Sequence, residues 1–472
     1  MQNPAKKILD IKEVEADVRG KTLKVVHEKQ KTLKRSMNEG AAASVTTGVG
    51  DSYMTPFADA LGAQPIHIGF LSAITALASP FAQLRGSYLM VKNPRKKIVL
   101  AFVFFNAIMW LALAAIAILA YIKTKNLSFV YLLIIAYALL GIFNGFAFPA
   151  WYSWMGDLVP EKDRGRYFSK RNVVTGIVSL VTFLVGAFIL DFFGQKEIML
   201  GFFLLFIFAF LFRLLSFASF RKHYAPPLKI HRSNYFSFWQ FIKRFDNYGK
   251  FSVYLAFFEF AIMVASPFFA VYMLQELGYN QNYLLYTLVA MSSSLFYLLF
   301  TPLAGKFSDR YGNARLLVIA NVCFIFTPLL WLISENPIYL IVIPQLIAGI
   351  ANAAFVIAST NFTYDAVSPE KRGSCIAYTN VLIGVGSFLG AILGGYLLSV
   401  LPSDTLSLNK FFLVFILASL LRLGVALIFL PKVKEVRRVE RLPPMHVHIA
   451  HPFRTIRAEI GWFRILLKNK SV

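Results

Sequence analysis

Apolar residues in this chain gather in runs close to the length that crosses a bilayer as one helix, about 20 residues. Ten runs are plain, at about 98–122, 127–156, 170–193, 198–220, 251–275, 283–304, 315–334, 337–361, 374–401 and 411–431. Two weaker runs precede them, at about 39–61 and 66–90. These two are diluted by Gly, Ala, Ser and Thr, which suits helices packed on helices rather than on lipid. The pattern predicts an all-α membrane protein with twelve transmembrane spans, six plus six. The polar segments divide the chain into an N-terminal tail (1–38), a first bundle (39–220), a linker (221–250), a second bundle (251–431) and a basic C-terminal tail (432–472).

The two halves repeat. The segment GIFNGFAFPAWYSWMGDLVPEKDRG from Gly141 aligns without a gap on GIANAAFVIASTNFTYDAVSPEKRG from Gly349. Asn144 meets Asn352, Asp157 meets Asp365, and Arg164 meets Arg372. Arg213 and Arg422 form a further matched pair, in spans 6 and 12. A chain that uses one apolar design twice predicts two pseudo-symmetric bundles.

Composition agrees: 57% of the 472 residues are hydrophobic, only 15% are charged, and mean hydropathy is +0.60. The net charge of +24 would suggest nucleic acid in a soluble protein, but the placement of the cations argues otherwise. Only Lys123, Lys125, Lys196 and Lys410 fall on one side of the predicted membrane. Arg213 and Arg422 lie within spans, and every other Lys and Arg falls on the opposite side. This asymmetry places both termini in the cytoplasm of a multi-pass protein of the cytoplasmic membrane. It makes anionic lipid, not nucleic acid, the partner of the basic surface. Two cysteines, Cys323 and Cys375, build no disulfide framework, and the charged first 38 residues show no cleavable signal. Helical spacing of apolar and basic residues predicts surface-lying helices in the linker (Phe236, Trp239, Ile242, Phe245) and the C-terminal tail (Ile456, Ile460, Phe463, Leu467).

The loop after span 8 reads GKFSDRYGNAR. Gly305, Asp309, Arg310, Gly312 and Arg315 match, place by place, the pattern G-x-x-x-D-R-x-G-x-x-R/K. This resembles the signature loop of the major facilitator superfamily. In the corresponding loop after span 2, Gln83 and Ser87 replace the glycine and aspartate, and only basic character survives, in Lys92, Arg95, Lys96 and Lys97. The repeated Asp157/Arg164 and Asp365/Arg372 resemble the acidic-x6-Arg element that closes spans 4 and 10 in the same superfamily. Gly305 is read as allowing close helix approach and Gly312 a tight turn. Asp309, Arg310, Asp365 and Arg372 are read as one cytoplasmic ion-pair cluster, with Asp157, Arg164 and Arg315 completing the gate. Arg213 and Arg422 have a simpler explanation, snorkelling to the headgroups.

Ionisable residues deep in a span point to a site. Asp51 in span 1 and Glu259 in span 7 are the candidates for solute contact or proton coupling. Asn144, Asn352, Gln345 and Asn106 are the polar residues that could line a cavity with them. Pairing of Glu259 with Arg422 or Arg213 would be purely structural. Gly386, Gly390 and Gly394, four apart, read as a helix-packing face. His446, His448 and His451 share no helical face and predict no metal site.

The resemblance implies the twelve-helix fold and a secondary active transporter that moves a small solute by rocking of the two bundles, with no cofactor and no catalysis. Asp51 makes protons the first coupling ion to test, in symport or antiport. The superfamily default is a monomer. A lipid or drug exporter of the same fold is the nearest alternative. A transport-inactive sensor and a polytopic transferase are the others.

Overall fold

The computed structural model describes residues 4–123, 127–160, 164–226, 238–243, 246–402, 404–405 and 408–440. They are almost entirely helical. The helices are α1 (Pro4–Val49), α2 (Met54–Ala60), α3 (Pro65–Lys92), α4 (Arg95–Ile122), α5 (Leu127–Leu158), α6 (Arg164–Arg221), α7 (Phe238–Ile242), α8 (Asn247–Met263), α9 (Ser266–Gln275), α10 (Tyr283–Tyr311), α11 (Asn313–Leu330), α12 (Pro337–Ala366), α13 (Pro369–Val400) and α14 (Lys410–Phe429). The only strands among the described residues are β1 (Asp404–Thr405) and β2 (Leu408–Asn409), an antiparallel pair before α14.

Among the described residues, eleven helical segments are long and apolar enough to cross a membrane. Spans 5 and 6 run on within α6 and are separated where Gly194 and Glu197 leave helical geometry. The twelfth span, the first in the chain, is broken. α1 continues unbroken from the charged tail to Val49, a 3-10 turn covers Asp51–Tyr53, and α2 completes the crossing. Span 7 is broken in the same way, between α8 and α9. Pro267 follows that break, at the second residue of α9, where its missing N–H costs no helical bond.

The helices form two compact units. Residues 1–54, 81–124 and 135–230 make the first, and 55–80, 125–134 and 231–472 the second. In the first unit, α1 and α4 pack on α6, around Ile98, Val99, Val103, Trp154, Met155 and Phe220. In the second, α12 packs on α10 and α11, and α13 on α8, around Phe251, Tyr254, Phe258, Leu317, Ala354 and Phe362. The Gly386, Gly390 and Gly394 face does pack closely. A methyl group at each would strike the backbone carbonyl oxygens of Ala256, Phe260 and Val264, so only glycine lets α13 lie against span 7 this tightly.

The linker contributes the short α7, where Trp239 is exposed and Phe241 is buried against Tyr248 and Tyr378. Phe236, Phe245, the tail helix expected over 456–467 and the His446/His448/His451 cluster lie outside the described residues. Cys323 and Cys375 form no disulfide among the described residues.

Candidate functional site

The break in span 1 creates the first site. Gly50 closes α1 with its N–H on the Thr46 carbonyl, and a side chain there would strike the Trp110 ring. The following 3-10 turn begins at Asp51, and the Tyr53 hydroxyl fixes it to span 5 through the Phe183 carbonyl at 2.6 Å. Asp51 therefore leaves the helix at a fixed point inside the membrane. Its carboxylate accepts from the Tyr137 hydroxyl at 3.5 Å and from Thr47.

Neighbouring helices bring polar groups to the same place at helical spacing. α4 supplies Asn106 and Trp110, and α5 supplies Asn144. The two spans of α6 supply Arg171 and Thr175, then Arg213. They line a partly open cavity of about 230 Å³ with Ser44, Thr46, Thr47 and Asp51 of span 1. Arg213 is its hub: Nε donates to Asn106 Oδ1 at 2.8 Å and Nη2 to Asn144 Oδ1 at 3.1 Å. At the other side of Arg213, Glu39 is buried and pairs with Arg171 at 3.1 Å, accepts from Ser216 at 2.8 Å, and Arg171 lies over the Trp151 ring at 4.8 Å.

Asp51, Asn106 and Asn144 are thus brought together. Arg213 does not snorkel, because two amide side chains hold it inside the unit. Trp151 is occupied by Arg171, and Trp154 is buried with its indole N–H on the Tyr224 carbonyl at 2.9 Å, so neither is an open stacking platform. Glu39 and Arg171 escaped the sequence reading. In the chain they sit at the edge of the charged tail and in a basic loop, and nothing there sets them apart from solvated neighbours.

The second unit holds the matching set in a different arrangement. Glu259 stands 208 residues after Asp51, the spacing that also relates Asn144 to Asn352, so the repeat itself could have paired the two carboxylates. Arg422 is buried and donates to the Phe324 carbonyl at 2.7 Å and the Ile262 carbonyl at 3.2 Å. Pro328 stands four residues after Phe324 and has no N–H to offer it, so Arg422 fills a backbone vacancy. Glu259 is electrostatically coupled to Arg422 but makes no ion pair within 4 Å among the described residues. Asn352 turns back onto its own helix, donating to the Ala348 carbonyl at 2.8 Å, and Gln345 is buried within α12.

The candidate gate residues also separate by unit. In the first, Asp157 pairs with Arg95 at 2.6 Å. Arg95 is buried and further donates to Ser153 and to the Pro226 carbonyl. The degenerate loop after span 2 therefore supplies the cation, while the Arg164 side chain lies outside the described residues.

In the second unit the segment after α14 straps across the signature loop. Arg437 pairs with Asp365 at 2.9 Å and reaches Asp309 at 4.0 Å. Arg310 pairs with Glu440 at 2.7 Å, Arg315 donates to the Glu440 carbonyl at 2.6 Å, and Glu435 accepts from the Ala314 N–H at 2.9 Å. Asn313 completes the set on Asp365 at 2.8 Å. The expected single cluster with Arg372 does not form. Arg372 instead caps the end of α12, donating to the Tyr364 and Val367 carbonyls. Gly312 makes the tight turn with φ +94°, but a methyl group on Gly305 would meet nothing among the described residues, so the close helix approach expected there is not seen among them.

Twelve membrane-crossing segments in two repeated sets, with charged groups held inside them, define a polytopic membrane carrier. The family model described as Major Facilitator Superfamily matches residues 41–291 and 251–470, and the chain belongs to that family. An uncharacterised MFS-type transporter of Methanocaldococcus jannaschii is 22% identical over 75% of this chain and 89% of that one. The vacuolar basic amino acid transporter 2 of Saccharomyces cerevisiae is 35% identical over 100 residues, a match that spans only 21% of each chain. The multi-drug resistance efflux pump PmrA of Streptococcus pneumoniae is 25% identical over 56% of this chain and 65% of that one. Among solved structures, a mutant of the nucleoside transporter NupG aligns with a TM-score of 0.63 at 15% identity, over 84% of this chain and 100% of that one. A bacterial homolog of the human lysosomal transporter Spinster aligns at 0.61 and 14%, over 88% and 99%.

Proposed function

We propose that this chain is a secondary active transporter that carries a small polar solute across the cytoplasmic membrane, with protons coupled through Asp51. Residues 39–220 and 251–431 act as the two moving bundles, and both termini face the cytoplasm. The observation that carries the reading is the first unit's cavity. A carboxylate and a guanidinium face it inside the membrane, where leaving charges without a task is costly. The Arg95–Asp157 pair and the strap over the signature loop are the elements that open and close at the cytoplasmic face.

The test is proton flux in proteoliposomes loaded with a pH-sensitive dye, with lactate, glucose, alanine, lysine and ethidium offered in turn. A solute that moves protons through wild type but not through Asp51→Asn supports the reading. Solute flux that is equal in both and moves no protons makes the chain a facilitator and Asp51 structural. Export of a lipid or a larger lipophilic drug is the second reading. It is favoured by the length of the match to the pneumococcal efflux pump, and proton movement with ethidium alone would select it.

A further inference from the structure

Four charged side chains occupy the first unit's cavity region, and their pairing is uneven. Glu39 and Arg171 form a closed ion pair, with Ser216 also on Glu39. Arg213 and Asp51 make no ion pair within 4 Å among the described residues. The Arg213 donors in use go to neutral amide oxygens, and its Nη1 has no partner among the described residues. Among the described residues, Asp51 has only Thr47 and the long bond from Tyr137. One free-ended cation and one free-ended anion therefore share a space of about 230 Å³, room for roughly eight water volumes at ~30 Å³ each.

We propose that this cavity binds a small organic monoanion on Arg213 together with one proton on Asp51, so that transport is an electroneutral one-to-one symport. The inference rests on the transport reading above and adds the substrate class and stoichiometry. The argument is charge balance. With Asp51 ionised and the cavity empty, two cations (Arg171, Arg213) balance two carboxylates (Glu39, Asp51). Protonating Asp51 alone leaves one excess positive charge, and loading an anion alone leaves one excess negative charge. Each excess charge must be held away from water, which is expensive inside a membrane. Only the empty, ionised state and the doubly loaded state are neutral, so the bundle can move in those two and stalls in the others.

The contacts suit this cargo. An incoming carboxylate is a stronger acceptor for a guanidinium than the Asn106 and Asn144 amides it displaces, and it is matched two-pronged by the Arg fork. The displaced amides and the hydroxyls of Ser44, Thr46, Thr47 and Thr175 line the remaining wall. The groups that face Asp51 are Thr47 on its own helix, Tyr137 from α5 and Arg213 from α6, and Glu39 and Arg171 are the other ionisable groups around Arg213.

The experiment is binding to the purified full chain, read by tryptophan fluorescence, at about pH 6 and about pH 8. Lactate and benzoate are the anionic probes, with alanine, lysine and glucose as controls. The anions should bind wild type roughly tenfold or more tightly at the lower pH, because one proton is taken up with the anion. Asp51→Asn, a fixed neutral mimic of the protonated acid, should bind them equally well at both pH values. Arg213→Gln should lose at least about tenfold, and Arg213→Lys, which keeps the charge without the fork, should fall between.

The proposal is overturned if alanine or lysine binds and the anions do not, if neither anion binds, or if the pH dependence survives in Asp51→Asn. If Arg213→Gln fails to fold, the wild-type pH dependence and its loss in Asp51→Asn still decide. Anion binding with this pattern but no flux in proteoliposomes would end the transport reading and leave the anion site standing. Flux of lactate or benzoate that follows membrane potential set by potassium and valinomycin would overturn the electroneutral stoichiometry.

Discussion

Arg213 donates to the side-chain oxygens of Asn106 and Asn144, whereas Arg422, 209 residues further on, donates to the backbone oxygens of Phe324 and Ile262. The repeat places a cation near the same point of the two halves, one residue out of register, and the surroundings give it two different tasks. A side-chain amide can rotate and release the guanidinium to a solute. A carbonyl orphaned by Pro328 cannot move without unwinding α11. Around Arg422, Phe258, Phe324 and Phe355 pack ring to ring and leave an apolar setting. Around Arg213 the wall is Ser, Thr and Asn. Equivalence in sequence therefore predicts equivalence in position, while the acceptors available nearby decide whether a buried charge is structural or free to act.

The sharpest way to break this comparison is to remove each guanidinium in turn. Arg422→Gln should lower stability by about 3 kcal/mol, since it leaves a buried carbonyl unsatisfied and Glu259 without its countercharge. Arg213→Gln should cost less, because Asn106 and Asn144 can bond elsewhere or to water and Asp51 can take up a proton to offset the lost charge, yet it should abolish solute-driven proton flux. Thermal unfolding in detergent, paired with the flux assay, reads both. Equal losses of stability would show that the two arginines do the same job.

A second contrast lies at the span ends. Arg95 is buried and holds Asp157, Ser153 and Pro226, while Arg437 is about a third exposed and holds Asp365 and Asp309 from outside the bundle. Arg95→Ala should therefore cost about 2 kcal/mol, less than a fully buried pair because the Asp157 carboxylate is half exposed. Arg437→Ala should cost at most about 1 kcal/mol globally. It should instead raise amide hydrogen exchange across 305–315, the loop that the strap covers. Unchanged exchange there would mean that the strap rests on the loop without restraining it.

These contrasts also mark what the sequence could reveal. Twelve spans were legible because each crossing needs its own apolar run, and burial in lipid leaves little freedom in composition. The break between spans 5 and 6 was legible from GQKEIM interrupting an apolar run. Asp51, Asn106 and Asn144 were legible as polar residues in apolar stretches. The role of Arg213 is not legible, because a cation near a span end snorkels unless acceptors meet it, and its acceptors stand on other helices. Glu39 and Arg171 were hidden by their charged neighbours. The Glu435–Glu440 strap was hidden because only its contacts separate it from a solvated basic tail.

The account of Arg422 can be sharpened without touching it. Pro328→Ala restores an N–H that can reach the Phe324 carbonyl, so the helix would supply the donor that the arginine now supplies. Alone, the change should be close to neutral. Combined with Arg422→Gln, it should recover about 1 kcal/mol of the loss, the net value of one intramolecular hydrogen bond. A double-mutant cycle on unfolding midpoints reads this. Purely additive losses would show that the vacant carbonyl is not what Arg422 is there to satisfy.

The smallest expected effect concerns one residue at the end of the last span of each half. In the first it is His223, buried against Trp154 and Phe220, with Nδ1 donating to the Ser219 carbonyl at 2.7 Å and Nε2 without a partner among the described residues. In the second, 209 residues on, it is the exposed Lys432 over the Phe429 ring. Burial pushes the His223 imidazole down to about 4, and the charges of Arg35, Lys96 and Arg171 push the same way. The folded chain therefore resists a proton that the unfolded chain accepts near 6.5. This group should have no effect above about pH 6.5, should cost stability progressively as pH falls from there toward about 4, and should cost nothing further below that. The loss should appear first as faster amide exchange over 216–226, with 425–433 unaffected. His223→Gln, which cannot take up the proton, should flatten the pH dependence of 216–226. If the two ends loosen together in wild type, or if the variant keeps the same acid sensitivity, the buried imidazole is not the cause.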